Sequence, residues 1–168
     1  NERGVAAVQL PAASAGHMRA RLRHLVPEAQ QTGHPPPRIR EAIEAIVALL
    51  HGQARDLREI ELDWEGLPPF NRRVYEFARG IGPGTTLTYG ELARAIGLPD
   101  SARSVGQALG LNPFPIVVPC HRVLAANGKY GGFSAPGGVA TKLRLLVIEG
   151  AKPPQGADAT LDLFDEQN

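Results

Sequence analysis

Proline and glycine punctuate this chain from end to end, as 15 and 19 of its 168 residues, dispersed rather than gathered in one tract. A chain interrupted this often folds into short regular elements joined by many loops. With 43% apolar and 21% charged residues it can still bury an ordinary core. That composition gives no support to a coiled coil, a collagen or a wholly disordered chain. The length suits one domain, or one domain with a small second one. The longest uninterrupted apolar run, Ala45–Leu50, is far short of a membrane span, and no basic and apolar leader opens the sequence. A cytoplasmic location is therefore expected, with no membrane partner. The first residue is Asn1 rather than a methionine, so the natural start is expected to lie upstream.

Between the interruptions, local patterns suggest an α+β fold in two parts. In residues 1–67, Gly4–Leu10 alternates as a strand ended by Pro11, and Leu57–Trp64 alternates as another. Ser14 caps a helix carrying Met18, Leu22 and Leu25, which Pro27 closes. Ile39, Ile43, Ile46, Val47 and Leu50 trace the apolar face of a second helix, with Gly52 just beyond it. This is a small N-terminal α/β sheet domain, and two strands alone are too few to be stable. Pro68 and Pro69 open a mostly helical second domain, residues 68–152, beginning with the helix Asn71–Arg79. The loop Gly80–Gly84 reads as a plain turn rather than a phosphate cradle, because Pro83 removes an amide donor.

Charge divides the chain more sharply. Residues 1–67 carry 8 basic and 9 acidic groups, residues 68–152 carry 10 and 4, and residues 153–168 carry 4 acidic groups and no basic one. A basic segment with an acidic tail suits a protein that meets a polyanion, and equally a solvated surface whose charges cluster. Within the basic segment, Thr88-Tyr89-Gly90-Glu91 has capping-box spacing and opens the helix Tyr89–Ile96, stopped by Gly97. Ser101 then caps the helix Ser101–Leu111. Two short helices across a glycine turn make a helix-turn-helix candidate, with Arg103 in the first turn of its second helix.

The single cysteine excludes an internal disulfide framework and any multi-cysteine zinc site. A lone cysteine is more often a small buried hydrophobe than a nucleophile. Its setting, Asn112-Pro113-Phe114-Pro115-Ile116-Val117-Val118-Pro119-Cys120-His121-Arg122-Val123, is more informative. Three prolines flank a short apolar strand and hold Cys120 at a rigid corner. A thiol attacks as its thiolate, for which a base or a positive neighbour must lower its pKa, and His121 and Arg122 supply those residue types. On an extended chain neighbouring side chains point apart, so direct Cys120–His121 pairing needs a bend or a bridging water.

Pro119-Cys120-His121-Arg122-Val123, preceded by Asn112-Pro113, resembles the active-site motif of the O6-alkylguanine-DNA alkyltransferases. The Thr-Tyr-Gly-Glu-Leu-Ala helix, the Ala-Arg-Ser-Val-Gly helix and the Gly-Gly-Val-Ala-Thr-Lys…Glu-Gly segment stand in that family's order. The resemblance covers residues from about Pro69 to Gly150. It implies a suicide enzyme that binds double-stranded DNA containing O6-alkylguanine as a monomer, needs no cofactor or metal, and flips the damaged base out from the minor-groove side. Cys120 is then the alkyl acceptor, His121 the water-mediated base and Glu149 the carboxylate that orients the histidine. Arg103 matches the arginine finger that fills the gap in the stack. Tyr89 matches the tyrosine that rotates the nucleotide, and Asn112 the hinge between recognition helix and active-site strand. Ser134 matches the serine beside the guanine oxygen, Val123 a backbone contact to the base, and Lys142 a residue near the pocket loop. Read singly, each has an ordinary structural role; their shared order favours the functional one.

Phe133 stands where the family pattern leads one to expect tyrosine, and Ala135-Pro136 lengthen the loop before Gly137, which puts the shape of the pocket lid in doubt. Three other functions compete: an alkyltransferase-like damage sensor, whose known members lack the nucleophile, a major-groove regulator, and a cysteine hydrolase, which needs an oxyanion hole that no motif in the sequence supplies. Ala102, Val105, Gly106, Ala108 and Leu109 are too small or apolar for major-groove readout and suit close minor-groove packing. In the acidic tail, Thr160-Leu161-Asp162-Leu163-Phe164 resembles a sliding-clamp docking motif with threonine in place of the leading glutamine. Leu161, Leu163 and Phe164 would be its apolar anchors.

Overall fold

The structure, a computed structural model, describes residues 2–12, 14–126 and 129–151. The tail residues Leu161, Leu163 and Phe164 lie outside the described residues. Those described form six helices: α1 (Ala15–Leu25), α2 (Pro37–Leu50), α3 (Pro69–Ala78), α4 (Tyr89–Ala95), α5 (Ala102–Gly110) and α6 (Gly138–Ile148). Two strands, β1 (Leu87–Thr88) and β2 (Val123–Leu124), pair in parallel with Leu87 opposite Val123 and Thr88 opposite Leu124. No helix among the described residues is long and apolar enough to cross a membrane.

Three helices, α1, α2 and α4, begin where their sequence signals put them, while α3, expected from Asn71, begins two residues earlier at Pro69. Ser14 sits in extended backbone, and its hydroxyl accepts from the His17 amide at 3.2 Å. Proline occupies the first turn of both α2 and α3, where its missing N–H costs nothing. At α4, Thr88 Oγ1 accepts from the Glu91 amide while Glu91 Oε2 accepts from the Thr88 amide at 2.6 Å, a complete capping box. Ser101 departs from expectation. Its backbone is already wound into the 3-10 turn Pro99–Ser101 and makes no side-chain cap, because an N-cap needs extended backbone.

The expected N-terminal sheet does not form. Gly4–Leu10 and Leu57–Trp64 meet through a single parallel bridge, Val5 to Leu62, with Val5 N–H donating to Glu61 O at 2.8 Å and Asp63 N–H to Val5 O at 3.0 Å. Leu57–Trp64 is bent by Arg79. Its Nη2 donates to the carbonyls of Leu57, Arg58 and Ile60, at 3.2, 2.6 and 2.7 Å. Three nearby carbonyls that converge on one guanidinium belong to a turn, since a strand would alternate them between its two edges. Arg79 also stacks over Trp64, as does Arg72, and Trp64 meets Phe114 edge-on with centroids 5.8 Å apart. Val5, Leu10, Leu49 and Leu57 accordingly join Val74, Leu92, Val105 and Phe114 in one buried cluster.

α4 and α5 pack against each other across Gly97, whose φ of +74° closes α4 at no steric cost, and the 3-10 turn. Val105, Ala108 and Leu109 face inward from α5, and Tyr75 of α3 donates its hydroxyl to Ala108 O at 2.7 Å. Arg103 and Gln107 remain exposed on the outer face.

Candidate active site

From α5 the chain turns at Asn112 into the proline-rich stretch. Asn112 ties that turn from both ends of its amide, Nδ2 donating to Val118 O and Oδ1 accepting from Phe114 N–H, each at 2.9 Å. The expected apolar strand is instead a tight turn. Phe114 O accepts from Val118 N–H at 2.8 Å, Pro115 bridges Val118, and Ile116 takes a φ of +76°. A β-branched residue rarely adopts that conformation, at a cost on the order of 1–3 kcal/mol. The flanking prolines leave few ways to fold the segment, and burying Ile116, Val117 and Val118 offsets the strain.

The turn delivers Cys120, His121 and Arg122 into a single 3-10 turn rather than extended chain. All three are buried. The described residues contain no side-chain hydrogen bond from Cys120 to His121. His121 instead pairs through Nε2 with Glu149 Oε1 at 2.9 Å. Arg122 grips the same carboxylate, Nε donating to Oε2 at 2.8 Å and Nη2 to Oε1 at 2.7 Å, while its Nη1 donates to Ile81 O. Glu149 stands just past the end of α6, with its side chain almost wholly buried. The turn at residues 80–84 thus supports the site, since Ile81 anchors Arg122 and a Cβ on Gly84 would sit 3.1 Å from Glu149 O.

The electrostatics follow from burial and pairing. Burial alone would raise the Glu149 carboxyl, but the hydrogen bonds from Arg122 and His121 win and hold it at about 2. Burial lowers His121 below its ordinary value, against the opposing pull of Glu149. The imidazole is therefore neutral at pH 7 and donates Nε2–H to the carboxylate, which leaves Nδ1 as a lone-pair acceptor. Nδ1 is buried with no hydrogen-bond partner among the described residues. Burial raises the Cys120 thiol, opposed by the Asn112 side chain, the charge of Lys142 and backbone amides.

Lys142 is fully buried on α6, and burial lowers it to about 8. Its Nζ donates to Val123 O at 2.6 Å and lies 5.9 Å from the centroid of the Tyr89 ring. Tyr89, half-buried at the start of α4, has its hydroxyl pKa raised by burial and by Cys120. Its hydroxyl would lie 3.1 Å from a Cβ on Gly131, whose φ of +69° already favours glycine.

Cys120 opens onto a cleft of about 580 Å³ bordered by Tyr89, Arg103, Gly106, Phe133 and Ser134. A second cavity of about 180 Å³ also reaches Cys120 and Ser134 and includes Ala135 and Pro136 of the lengthened loop. The nine residues singled out from the sequence thus fall into two linked groups. Cys120, His121, Glu149, Asn112, Val123 and Lys142 are buried or bonded beneath the cleft, and Tyr89, Arg103 and Ser134 border it. Arg122 was missing from that set. The only hint of it was its place directly after the cysteine and histidine, which does not reveal the carboxylate it would hold.

Comparison with known proteins fits this geometry. Residues 69–151 match the family model described as 6-O-methylguanine DNA methyltransferase, DNA binding domain. The methylated-DNA–protein-cysteine methyltransferase of Mycolicibacterium paratuberculosis is 44% identical over 124 residues, spanning 74% of this chain and 70% of that protein. A protein of Thermus thermophilus named as a DNA base-flipping protein is 44% identical over 125 residues, 74% of this chain and 79% of its own. The Mycobacterium tuberculosis OGT crystallised in complex with DNA shares the fold with a TM-score of 0.61 and 38% identity, over 76% of each chain. Similarity at that level, over more than two thirds of a methyltransferase's length, is family membership: the chain belongs to the O6-methylguanine-DNA methyltransferase, or methylated-DNA–protein-cysteine methyltransferase, family.

Proposed function

We propose that the chain repairs O6-alkylguanine in double-stranded DNA by moving the alkyl group irreversibly onto its own Cys120, once per molecule. A bond forms between Sγ and the alkyl carbon as the carbon–O6 bond breaks. The electron pair stays on O6, the ring takes up a proton, and guanine is restored while the cysteine becomes a stable thioether. His121 accepts the thiol proton at Nδ1 through a bridging water, Glu149 fixes its tautomer, and Arg122 fixes Glu149. Lys142 favours the thiolate by charge and holds the Val123 carbonyl that faces the base. Ser134 donates to O6 where negative charge develops. Tyr89 and Arg103 act on the nucleotide, one rotating it out from the minor-groove side and the other filling the gap, and Asn112 holds the hinge between α5 and the nucleophile.

One observation carries this function: the sole cysteine opens onto a cleft bordered by Arg103 of the second helix, and the next residue is a histidine already bonded to a buried carboxylate. Duplex DNA carrying radiolabelled O6-methylguanine tests it. Label should pass to protein and stop at one methyl per chain; no transfer, or continued turnover, would contradict it. The Thermus relative favours a second reading, damage sensing by base flipping without transfer. It predicts binding to the alkylated duplex with no label on protein.

A further inference from the structure

Helix α1 carries Arg19, Arg21, Arg23, His17 and His24 and no acidic residue, and none of its side chains is fully buried. The i, i+4, i+7 spacing places His17, Arg21 and His24 on one stripe. Arg21 is the member of that stripe that adjoins the reactive cysteine: with Leu25, one turn on, it lines the cavity of about 180 Å³ that Cys120, Ser134 and Leu111 also line. Leu111, at the end of α5, is 73% exposed and Leu25 is 43% exposed, so an apolar rim joins the two helices across this opening. Arg3, Arg38, Arg58 and Arg72 each meet a carboxylate, whereas Arg21 makes no ion pair among the described residues.

We propose that α1 forms part of the DNA-binding surface, with Arg21, flanked by His17 and His24, contacting a backbone phosphate of the strand that presents its nucleotide to Cys120. The assignment rests on the alkyl-transfer function above. Two features single out DNA as the occupant: the charge of α1 complements a polyanion, and its surface is continuous with the cleft bordered by Arg103. α5 then forms one wall of the cysteine's opening and α1 the other. Phosphate contacts of this kind fix register without reading sequence, and they release counterions, which makes them sensitive to salt.

Fluorescence anisotropy of a labelled duplex, titrated with the full chain over a series of KCl concentrations, tests the assignment. Arg21→Gln should weaken binding about threefold or more and reduce the slope of log K against log salt by about 0.9, one phosphate's worth. Arg21→Lys should keep the slope. Because Arg21 is exposed and makes no ion pair among the described residues, both variants should melt at the wild-type temperature; His17→Gln with His24→Gln provides a second variant, expected to weaken binding without touching an arginine. Wild-type affinity and slope in Arg21→Gln would overturn the proposal. Methyl transfer by the wild type, followed by mass in the same samples, separates the two claims. A slope that depends on Arg21 without any transfer upholds the helix assignment and overturns the reaction.

Discussion

Arg122 holds both oxygens of Glu149, at 2.8 and 2.7 Å, and Glu149 in turn holds His121 at 2.9 Å. Two side chains, Arg122 and His121, are thus buried on one carboxylate. Removing one partner of such a buried pair strands the other, which costs about 3–5 kcal/mol. Glu149→Gln should destabilise the fold by about that much in urea titration, because Arg122 loses its counter-charge. It should also slow alkyl transfer about 10²-fold or more, since His121 loses its orienting partner. Loss of stability with an unchanged single-turnover rate would make the carboxylate purely structural.

Acid should act on the same group. The Glu149 carboxyl is held at about 2, below its ordinary 4.5. A carboxyl depressed in the folded state binds its proton more readily when unfolded, so its contribution is intact above pH 4.5 and lost as pH falls toward 2. Denaturant midpoints measured across that window should fall in the wild type and fall less in Glu149→Gln.

The rate should follow pH in the opposite range. His121 is lowered by burial and so is mostly neutral at pH 6.5, while burial raises the Cys120 thiol above its ordinary value. Transfer from a free base such as O6-benzylguanine should therefore hold its rate through pH 6.5 on the acid side and rise as pH approaches 8, above which Lys142 gives up the charge that favours the thiolate. A rate that halves near pH 6.5 would show that the imidazole titrates as if exposed.

How far the sequence discloses this arrangement depends on how local each signal is. Ser14, the Thr88–Glu91 capping box and the apolar stripe from Ile39 to Leu50 act within a few residues, and the helices they mark are present. Leu57–Trp64 is not a strand because the carbonyls of Leu57, Arg58 and Ile60 are claimed by Arg79, a side chain some twenty residues away in sequence, and Gly4–Leu10 keeps only the bridge from Val5 to Leu62. The left-handed Ile116 was equally hidden, since it is stabilised only by burial against the assembled core. At the site, the order of motifs brought His121 and Glu149 to attention across 28 positions. Arg122 as the carboxylate's main holder, and Lys142 bonded to Val123 O, depend on the end and the inner face of α6, which no short motif specifies.

Asn112 closes the proline-rich turn with two hydrogen bonds. Asn112→Ala leaves the Val118 carbonyl and the Phe114 amide without these partners, at about 1–3 kcal/mol. Both stability and transfer rate should fall, while Asn112→Asp, which keeps the acceptor for Phe114 N–H, should recover part of the stability in thermal melts.

Arg103 is exposed on α5 at the cleft and makes no ion pair among the described residues. Arg103→Ala should slow repair of duplex DNA far more than reaction with a free alkylated base, because flipping costs a few kcal/mol that a free base does not incur. Equal losses on both substrates, in parallel single-turnover assays, would assign Arg103 to the fold instead.

Whether Cys120 takes the alkyl group is read directly by intact-mass spectrometry with peptide mapping. After incubation with duplex DNA containing O6-methylguanine, the chain should gain the mass of one methylene, carried on the peptide that contains Cys120. Cys120→Ala should gain nothing while still binding the duplex. An unchanged wild-type mass, or a methyl group mapped to any other residue, would contradict Cys120 as the acceptor.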